Sequence, residues 1–404
     1  MKQQVVIIGG GAAGFFAAIE LAAQRPDLAV TILEQGNEVL GKVKISGGGR
    51  CNVTHACFDP KELVRFYPRG NKELLGAFHR FHCAHTVEWF EQRGVELKTE
   101  SDGRMFPITN SSQTIIDCLL DQAKIYNIRI VRQAKVTRLE ALSDGFTVYV
   151  HDRPQHADYL LVASGSSNTV WNSLKQLGHR IIPPVPSLFT FNIKSPLLQG
   201  LEGVSVERVT VQPEGSKQSS EGPLLVTHWG LSGPAILKLS AFAALELAEK
   251  QYRFNIRINW IQETADEAKA KLTDAKQTQP KKNLLNFCPF PLPARFWKSC
   301  IAFAGIREDK KYADLSKEDI RELAQLLTAC ILSADGKSTN KDEFVTAGGI
   351  DLKEVDFKTM QSRLFPRLYF AGEVLNIDAV TGGFNFQAAW TTGHIAGVHM
   401  AENA

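Results

Sequence analysis

The chain has 404 residues, 44% hydrophobic and 22% charged, which allows a large buried core and two or three domains. A formal net charge of +3 with both signs interspersed argues against binding to nucleic acid or to a membrane surface, and no apolar run approaches the ~18 residues of a spanning helix. Seven cysteines, an odd number without CxxC pairs, exclude a zinc-type metal site and point to reduced thiols in a cytoplasmic, untargeted protein.

The opening stretch QVVIIGGGAAGFFAAIELAAQRPDLAVTILEQ predicts a buried strand from Val5 to Ile8, a glycine turn, an Ala-rich helix to about Gln24, and a second strand ending at Glu34. Gly9, Gly11 and Gly14 carry the G-x-G-x-x-G spacing. The first glycine permits a tight turn, the second lets backbone approach a pyrophosphate, and the third lets helix pack on strand. Glu34 stands where a carboxylate accepts hydrogen bonds from an adenosine ribose. This fingerprint specifies an ADP-containing dinucleotide and does not separate NAD from FAD. Next comes KISGGGRCNV, in which Ser46, Gly47, Gly48 and Gly49 present almost no side-chain bulk. Such a loop can lie flat against a planar ring or a ribitol chain, which a nicotinamide cofactor held only at its pyrophosphate does not need. Lys42, Lys44 and Arg50 add positive charge beside the expected diphosphate.

LLVASGSSN, residues 160–168, reads as a buried strand ending at Ala163, Ser164 and Gly165. Between about Pro186 and Asp342 the pattern changes: PSLFTFNI, VSVERVTVQ, PLLVTH and YRFNIRINW alternate as β-strands, with EGSKQSSEG as a polar turn, and helical segments follow from Gln262 to about Leu332. The expected architecture is α/β, a dinucleotide-binding domain formed by residues 1–187 and 340–404, with a β-barrel-like insertion (188–261) and a helical subdomain (262–339). The chain then returns to a buried strand, Leu368 to Gly372, followed by Glu373 and an amphipathic helix starting at Gly382, Gly383, Phe384 and Asn385. The positive end of that helix can stabilise negative charge on a reduced ring.

These residues carry a family resemblance. GGGAAG and KISGGGRCNVT, then DGRMFP (102–107), VTHWGLSGPAIL (226–237), VTAGGI (345–350) and YFAGEVLNIDAVTGGFNFQAAWTTG (369–393), resemble in five ordered blocks the aminoacetone oxidase family of FAD-binding flavoproteins, whose dinucleotide domain is of the Rossmann-like, glutathione-reductase type. The resemblance implies non-covalently bound FAD, with the triple glycine against isoalloxazine and ribitol. It extends the cofactor contacts to Ala12, Ala13 and Gln35, to Cys51 and Asn52, to the backbone amide of Val136 near adenine, to the Ala163–Gly165 turn near the diphosphate, and to Gly372 and Glu373 at the ribitol. The text after Gly165 departs from the family's, so no contact is carried over to residues 166–168. The family's three-part arrangement implies a substrate between flavin and insertion.

The chemistry then expected is hydride transfer between FAD and a small organic substrate, an amine or an unsaturated ketone, with NAD(P)H or O2 as a transient electron partner. His228, for its titration range, and Arg104, for its fork of donors, are the candidate catalytic residues. Two other readings compete: a flavin protein whose redox state regulates a partner, and a dithiol flavoenzyme using Cys51 and Cys57, with five residues between them in CNVTHAC where disulfide reductases have four. With no second nucleotide fingerprint, a resident NADPH site is not expected, and with no basic stripe rich in aromatics, neither is RNA modification.

Overall fold

A computed structural model describes residues 2–338 and 345–404; the expected boundary at 339/340 lies outside the described residues. The chain divides into two compact units, Met1–Val185 with Lys341–Ala404, and Pro186–Asn340.

The first unit is built on a seven-stranded sheet. Five of its strands, Leu368–Phe370, Tyr159–Val162, Gln4–Ile8, Ala29–Leu33 and Arg129–Val131, lie side by side in that order and run parallel. Tyr159–Val162 is buried at every position and Gln4–Ile8 at every position but the first, the unbroken pattern of parallel strands covered on both faces. Gln4–Ile8 lies inside the sheet: from it the chain moves outward to strands 29–33 and 129–131, then crosses back to 159–162 on its other side. Doubly wound sheets bind ligands at the carboxyl end of such a switch point. The antiparallel strands Gln361–Ser362 and Val355–Asp356 finish one edge.

The two sequence ends of this unit meet directly. Helix Ala12–Gln24 packs along helix Phe384–Asn403, and small residues set the spacing: a Cβ on Gly393 would stand 2.7 Å from the Ala13 carbonyl oxygen, and one on Gly397 would stand 2.5 Å from that of Ala17. The second helix was expected to be amphipathic; instead it is buried over most of its surface, the environment of an internal helix. Around the contact Phe16 packs against Phe81, Trp89 and Trp390. Burial of each such ring contributes roughly 1.5–3 kcal/mol.

The second unit contains a closed barrel whose strands follow the order Thr190–Ile193, Gly230–Ser232, Ser220–Thr227, Ser205–Pro213, Arg253–Asn259, Cys330–Ser338. The last strand comes from ACILSADGKS, which the sequence reading placed in the helical part. Its apolar residues Cys330, Leu332 and Ala334 alternate inward, a period-2 signal hidden behind the preceding helix Lys317–Ala329. Barrel and helices therefore share one core, in which Trp260, Phe296, Trp297 and Tyr312 are fully buried beside Val209, Val211 and Ile258.

Candidate cofactor cradle

At the end of strand Gln4–Ile8, Gly9 has φ +111°, and a Cβ there would lie 2.3 Å from the Ala163 carbonyl oxygen. A Cβ on Gly14 would lie 2.1 Å from the Gly9 carbonyl oxygen. Gly11 is different: nothing stands within 4 Å of its Cβ direction, so its side faces open space. Helix Ala12–Gln24 starts at this glycine with no side-chain cap and no acidic residue in its first turn, leaving its N–H groups for an anion. Glu34 is locked in place by donors from both sides, Gly10 N–H to Oε2 at 2.8 Å and Gly36 N–H to Oε1 at 2.7 Å. The remaining lone pairs of its carboxylate can accept ribose hydroxyls. Ala134 N–H donates to the Glu34 carbonyl (2.7 Å), which draws residues 133–136 alongside; the Val136 side chain is buried, so only main chain is available there. Gln35 is exposed and Ala13 is buried.

Midway, Glu373 pairs with Lys42 and accepts Thr346 N–H at 3.2 Å. Gly372 and Gly165 have φ of +72° and +60°, and a Cβ on Gly165 would come 3.6 Å from Glu373 Oε2. Two hydroxyls, Ser164 Oγ next to Gly165 and Thr346 Oγ1 on the residue whose N–H bonds Glu373, are buried with no partner among the described residues. A buried unpartnered hydroxyl costs on the order of 1–3 kcal/mol, so two near one carboxylate fit an acceptor- and donor-rich chain such as a ribitol diphosphate.

A helical turn precedes the triple glycine. Gly41–Gly49 begins as a helix and breaks at Ser46, after which Gly47, Gly48 and Gly49 take φ of +57°, +68° and +83°. Gly47 packs on the Phe106 ring, whereas nothing lies within 4 Å of a Cβ on Gly48 or Gly49. Cys51 also has positive φ, +58°, and its side chain is fully buried; burial pushes its thiol up to about 12, and that of Cys57 up to about 11. Neither thiol is disposed to form the thiolate that a dithiol mechanism requires, so the structure argues against the Cys51/Cys57 alternative. Cys51 can meet a cofactor only through its backbone.

Asn52 is likewise a positioning residue. In the orientation that satisfies both ends, its amide donates to the Thr54 carbonyl (3.0 Å) and accepts Gly383 N–H (2.9 Å). Thr54 Oγ1 donates to Gln387 Oε1 at 2.6 Å, Thr86 Oγ1 to the same oxygen at 2.9 Å, and Trp390 Nε1 to the Val53 carbonyl at 2.9 Å. These buried bonds tie the start of helix Phe384–Asn403 to residues 52–54. The helix begins at Gly383, φ +89°, where a Cβ would stand 2.6 Å from the Thr54 carbonyl oxygen, and it too has no side-chain cap. Asn385 turns away to hold Ala379 through both ends of its amide, and the Phe384 ring stacks on Phe66 at 4.1 Å.

His55 was missed by the sequence reading. Its ring lies 4.6 Å from Phe384, and Nδ1 is 3.0 Å from the Gly382 carbonyl oxygen, an acceptor only, so Nδ1 carries the proton. Burial holds its pKa below the ordinary value, partly offset by that carbonyl and by Asp102. The signal available was its place directly after the Asn52–Thr54 block.

Arg50 and Arg104 converge on Glu100. Arg50 donates to Glu100 at 2.6 Å and covers the Phe106 ring at 4.0 Å; Arg104 donates to Asp102 at 2.7 Å and to Glu100 at 3.2 Å. Both guanidiniums are partly exposed and keep N–H donors beyond these bonds. His228 is exposed in the turn joining barrel strands Ser220–Thr227 and Gly230–Ser232, next to an exposed Trp229, and belongs to the second unit.

A family model described as HI0933-like protein Rossmann domain matches residues 3–399. A ribosomal RNA dihydrouridine synthase of Escherichia coli (strain K12) is 28% identical over 96% of this chain and 95% of its own length, and one of Haemophilus influenzae is 28% identical over 98% of each. A 3-dehydro-bile acid delta(4,6)-reductase of Clostridium scindens is 25% identical over 99% of each. Among solved structures, a 3-ketosteroid delta1-dehydrogenase from Sterolibacterium denitrificans matches with TM-score 0.53, 11% identity and full coverage of both chains, a likeness of fold. Among the described residues no helix is long and apolar enough to cross a membrane.

Proposed function

The chain belongs to the HI0933-like Rossmann family, its cofactor is FAD and it is an FAD-dependent oxidoreductase; from that premise we propose that it reduces a carbon–carbon double bond conjugated to a carbonyl, with a uracil ring in RNA as the first candidate substrate. FAD, when bound and reduced, would supply the hydride. The hydride adds to the carbon β to the carbonyl and a solvent proton to the α carbon, which saturates the bond; an external donor of the NAD(P)H class returns the electrons.

The observation that carries the redox assignment is the pair of uncapped helix starts, Ala12 and Phe384, on two helices packed together, joined by glycine-lined backbone at Gly11, Gly48–Gly49 and Gly383. One start suits a pyrophosphate. The other suits negative charge accumulating on a reduced ring. Lys42 and Glu373 would hold the chain between them, and the Ser164 and Thr346 hydroxyls would gain partners there. His55 steadies Gly382 through a neutral ring and leaves the second helix start as the local source of positive potential.

The substrate class rests on the relatives. A dihydrouridine synthase and a delta(4,6)-reductase are named for saturating a double bond, and the former for acting on ribosomal RNA, against the sequence expectation of no nucleic-acid partner. The seven free cysteines suit a cytoplasmic enzyme. The test uses yellow holoenzyme reduced anaerobically and then offered ribosomal RNA, a conjugated steroid ketone, or neither. Reoxidation with a product heavier by two hydrogens is expected. Reoxidation by neither substrate, together with bleaching of oxidised holoenzyme by an amine such as aminoacetone, would replace this reading with amine oxidation.

A further inference from the structure

Away from the cradle, the first unit has a hollow of about 700 Å³ between helix Asn71–Phe78 and residues 352–363. It borders strand Val355–Asp356 at the sheet edge, four strands from Gln4–Ile8, or ~19 Å at ~4.8 Å per strand. Its volume falls within the ~300–1,000 Å³ of small-molecule sites.

Two independent features indicate a ligand. The first is Gly76. Glycine inside a helix costs roughly 0.5–1 kcal/mol relative to alanine. Here nothing demands it: its φ is not positive, and no atom lies within 4 Å of a Cβ placed on it. It is exposed and forms part of the wall, so its effect is to keep the hollow open. The second is charge. Arg80, Lys353, Lys358 and Arg363 line the hollow against only Glu73 and Asp356. Arg80 is anchored on the Lys358 carbonyl and Arg363 lies 3.9 Å from Asp356, while neither lysine ammonium has a carboxylate partner among the described residues. Phe357, half-buried, supplies an aromatic face beside Leu352 and Val355.

We propose that this hollow binds one nucleotide unit of an RNA strand, its phosphate on Lys353 and Lys358 and its base against Phe357. Phosphate contacts position a nucleic acid and aromatic faces accept any base, so the site is an anchor for the strand, distinct from the redox centre. The RNA source rests on the substrate reading above; the nucleotide chemistry does not.

The experiment measures binding, not turnover. Holoenzyme, Gly76→Leu and the double variant Lys353→Glu/Lys358→Glu are titrated against a fluorescent single-stranded oligouridylate over a range of salt, and against UMP. The double variant is expected to lose at least tenfold in RNA affinity and to flatten the slope of log affinity against log salt by about 1.4, the value for two lost single-strand phosphate contacts. Gly76→Leu is expected to melt no lower than wild type yet bind several-fold more weakly. FAD content should be unchanged in both. Wild-type RNA affinity in both variants overturns the proposal. UMP binding as tight as the oligomer's and equally sensitive to the variants keeps the nucleotide site but assigns it to a free nucleotide. Since none of these readouts involves hydride transfer, failure of the reductase reading leaves them intact and is recognised separately.

Discussion

The turns at Gly9–Gly14 and at Gly47–Cys51 both depend on glycine, for opposite physical reasons. In the first, Gly9 and Gly14 have ordinary structure pressed against them, and a side chain would collide with backbone oxygen at 2.3 and 2.1 Å. In the second, Gly48 and Gly49 have nothing near them, and it is the left-handed backbone that excludes other residues. One turn is shaped by close packing, the other by dihedral angle with its surface left bare. Gly11 is of neither kind: its φ is -94°, and it shares with Gly48 and Gly49 only the bare surface, since no atom lies within 4 Å of its Cβ direction.

Substitutions should separate these reasons. Gly14→Val is expected to have the largest effect, destabilising by more than ~3 kcal/mol, since the clash is with backbone at Gly9, whose N–H is held by the Leu33 carbonyl at 2.8 Å; a thermal melt within a few degrees of wild type would show that the packing argument is wrong. Gly11→Val should leave the apoprotein's melting temperature nearly unchanged and yet reduce FAD retention about 100-fold, read as flavin absorbance per chain after desalting. Unchanged FAD content there would remove the pyrophosphate assignment. Gly48→Ala should cost about 1–2 kcal/mol from left-handed strain alone, seen as an earlier denaturant midpoint, with weakened FAD retention. The smallest effect belongs to His55. Its pKa is lowered in the folded state, so its contribution to stability is complete above the ordinary value of ~6.5 and is lost as pH falls through the folded value. His55→Gln should flatten part of the fall in denaturant midpoint between about pH 7 and about pH 5; the rest belongs to His82, His179 and His399, whose pKa values burial also lowers.

The contrast also explains what could be read in advance. The strand–turn–helix from Val5 to Gln24 and the acid at Glu34 were legible because Gly9 and Gly14 answer steric needs at a fixed spacing. The composition of 46–49 announced a bare surface but not the helical turn before it, since Gly41, Lys42 and Val43 carry no cap signal; the residue ahead of them, Leu40, is itself left-handed. The final barrel strand was hidden because residues 330–338 follow a helix without a turn signal. Long-range side-chain partners were invisible: that Arg50 bonds Glu100, or that Asn52 bonds Gly383, depends on partners 50 and more residues away. Hollows such as the one beside Gly76 leave no periodic trace at all.

The seating of Gly393 on Ala13 has a consequence for how the molecule forms. This contact joins segments separated by nearly the whole chain, and contacts of such sequence separation are slow to make because loop entropy must be lost first. The inserted unit has a core of its own, so its prior collapse would shorten the effective loop that remains. Flavin capture is then a late event in maturation, and lesions in the insertion would act as assembly defects, yielding colourless chains whose nucleotide turn is itself intact.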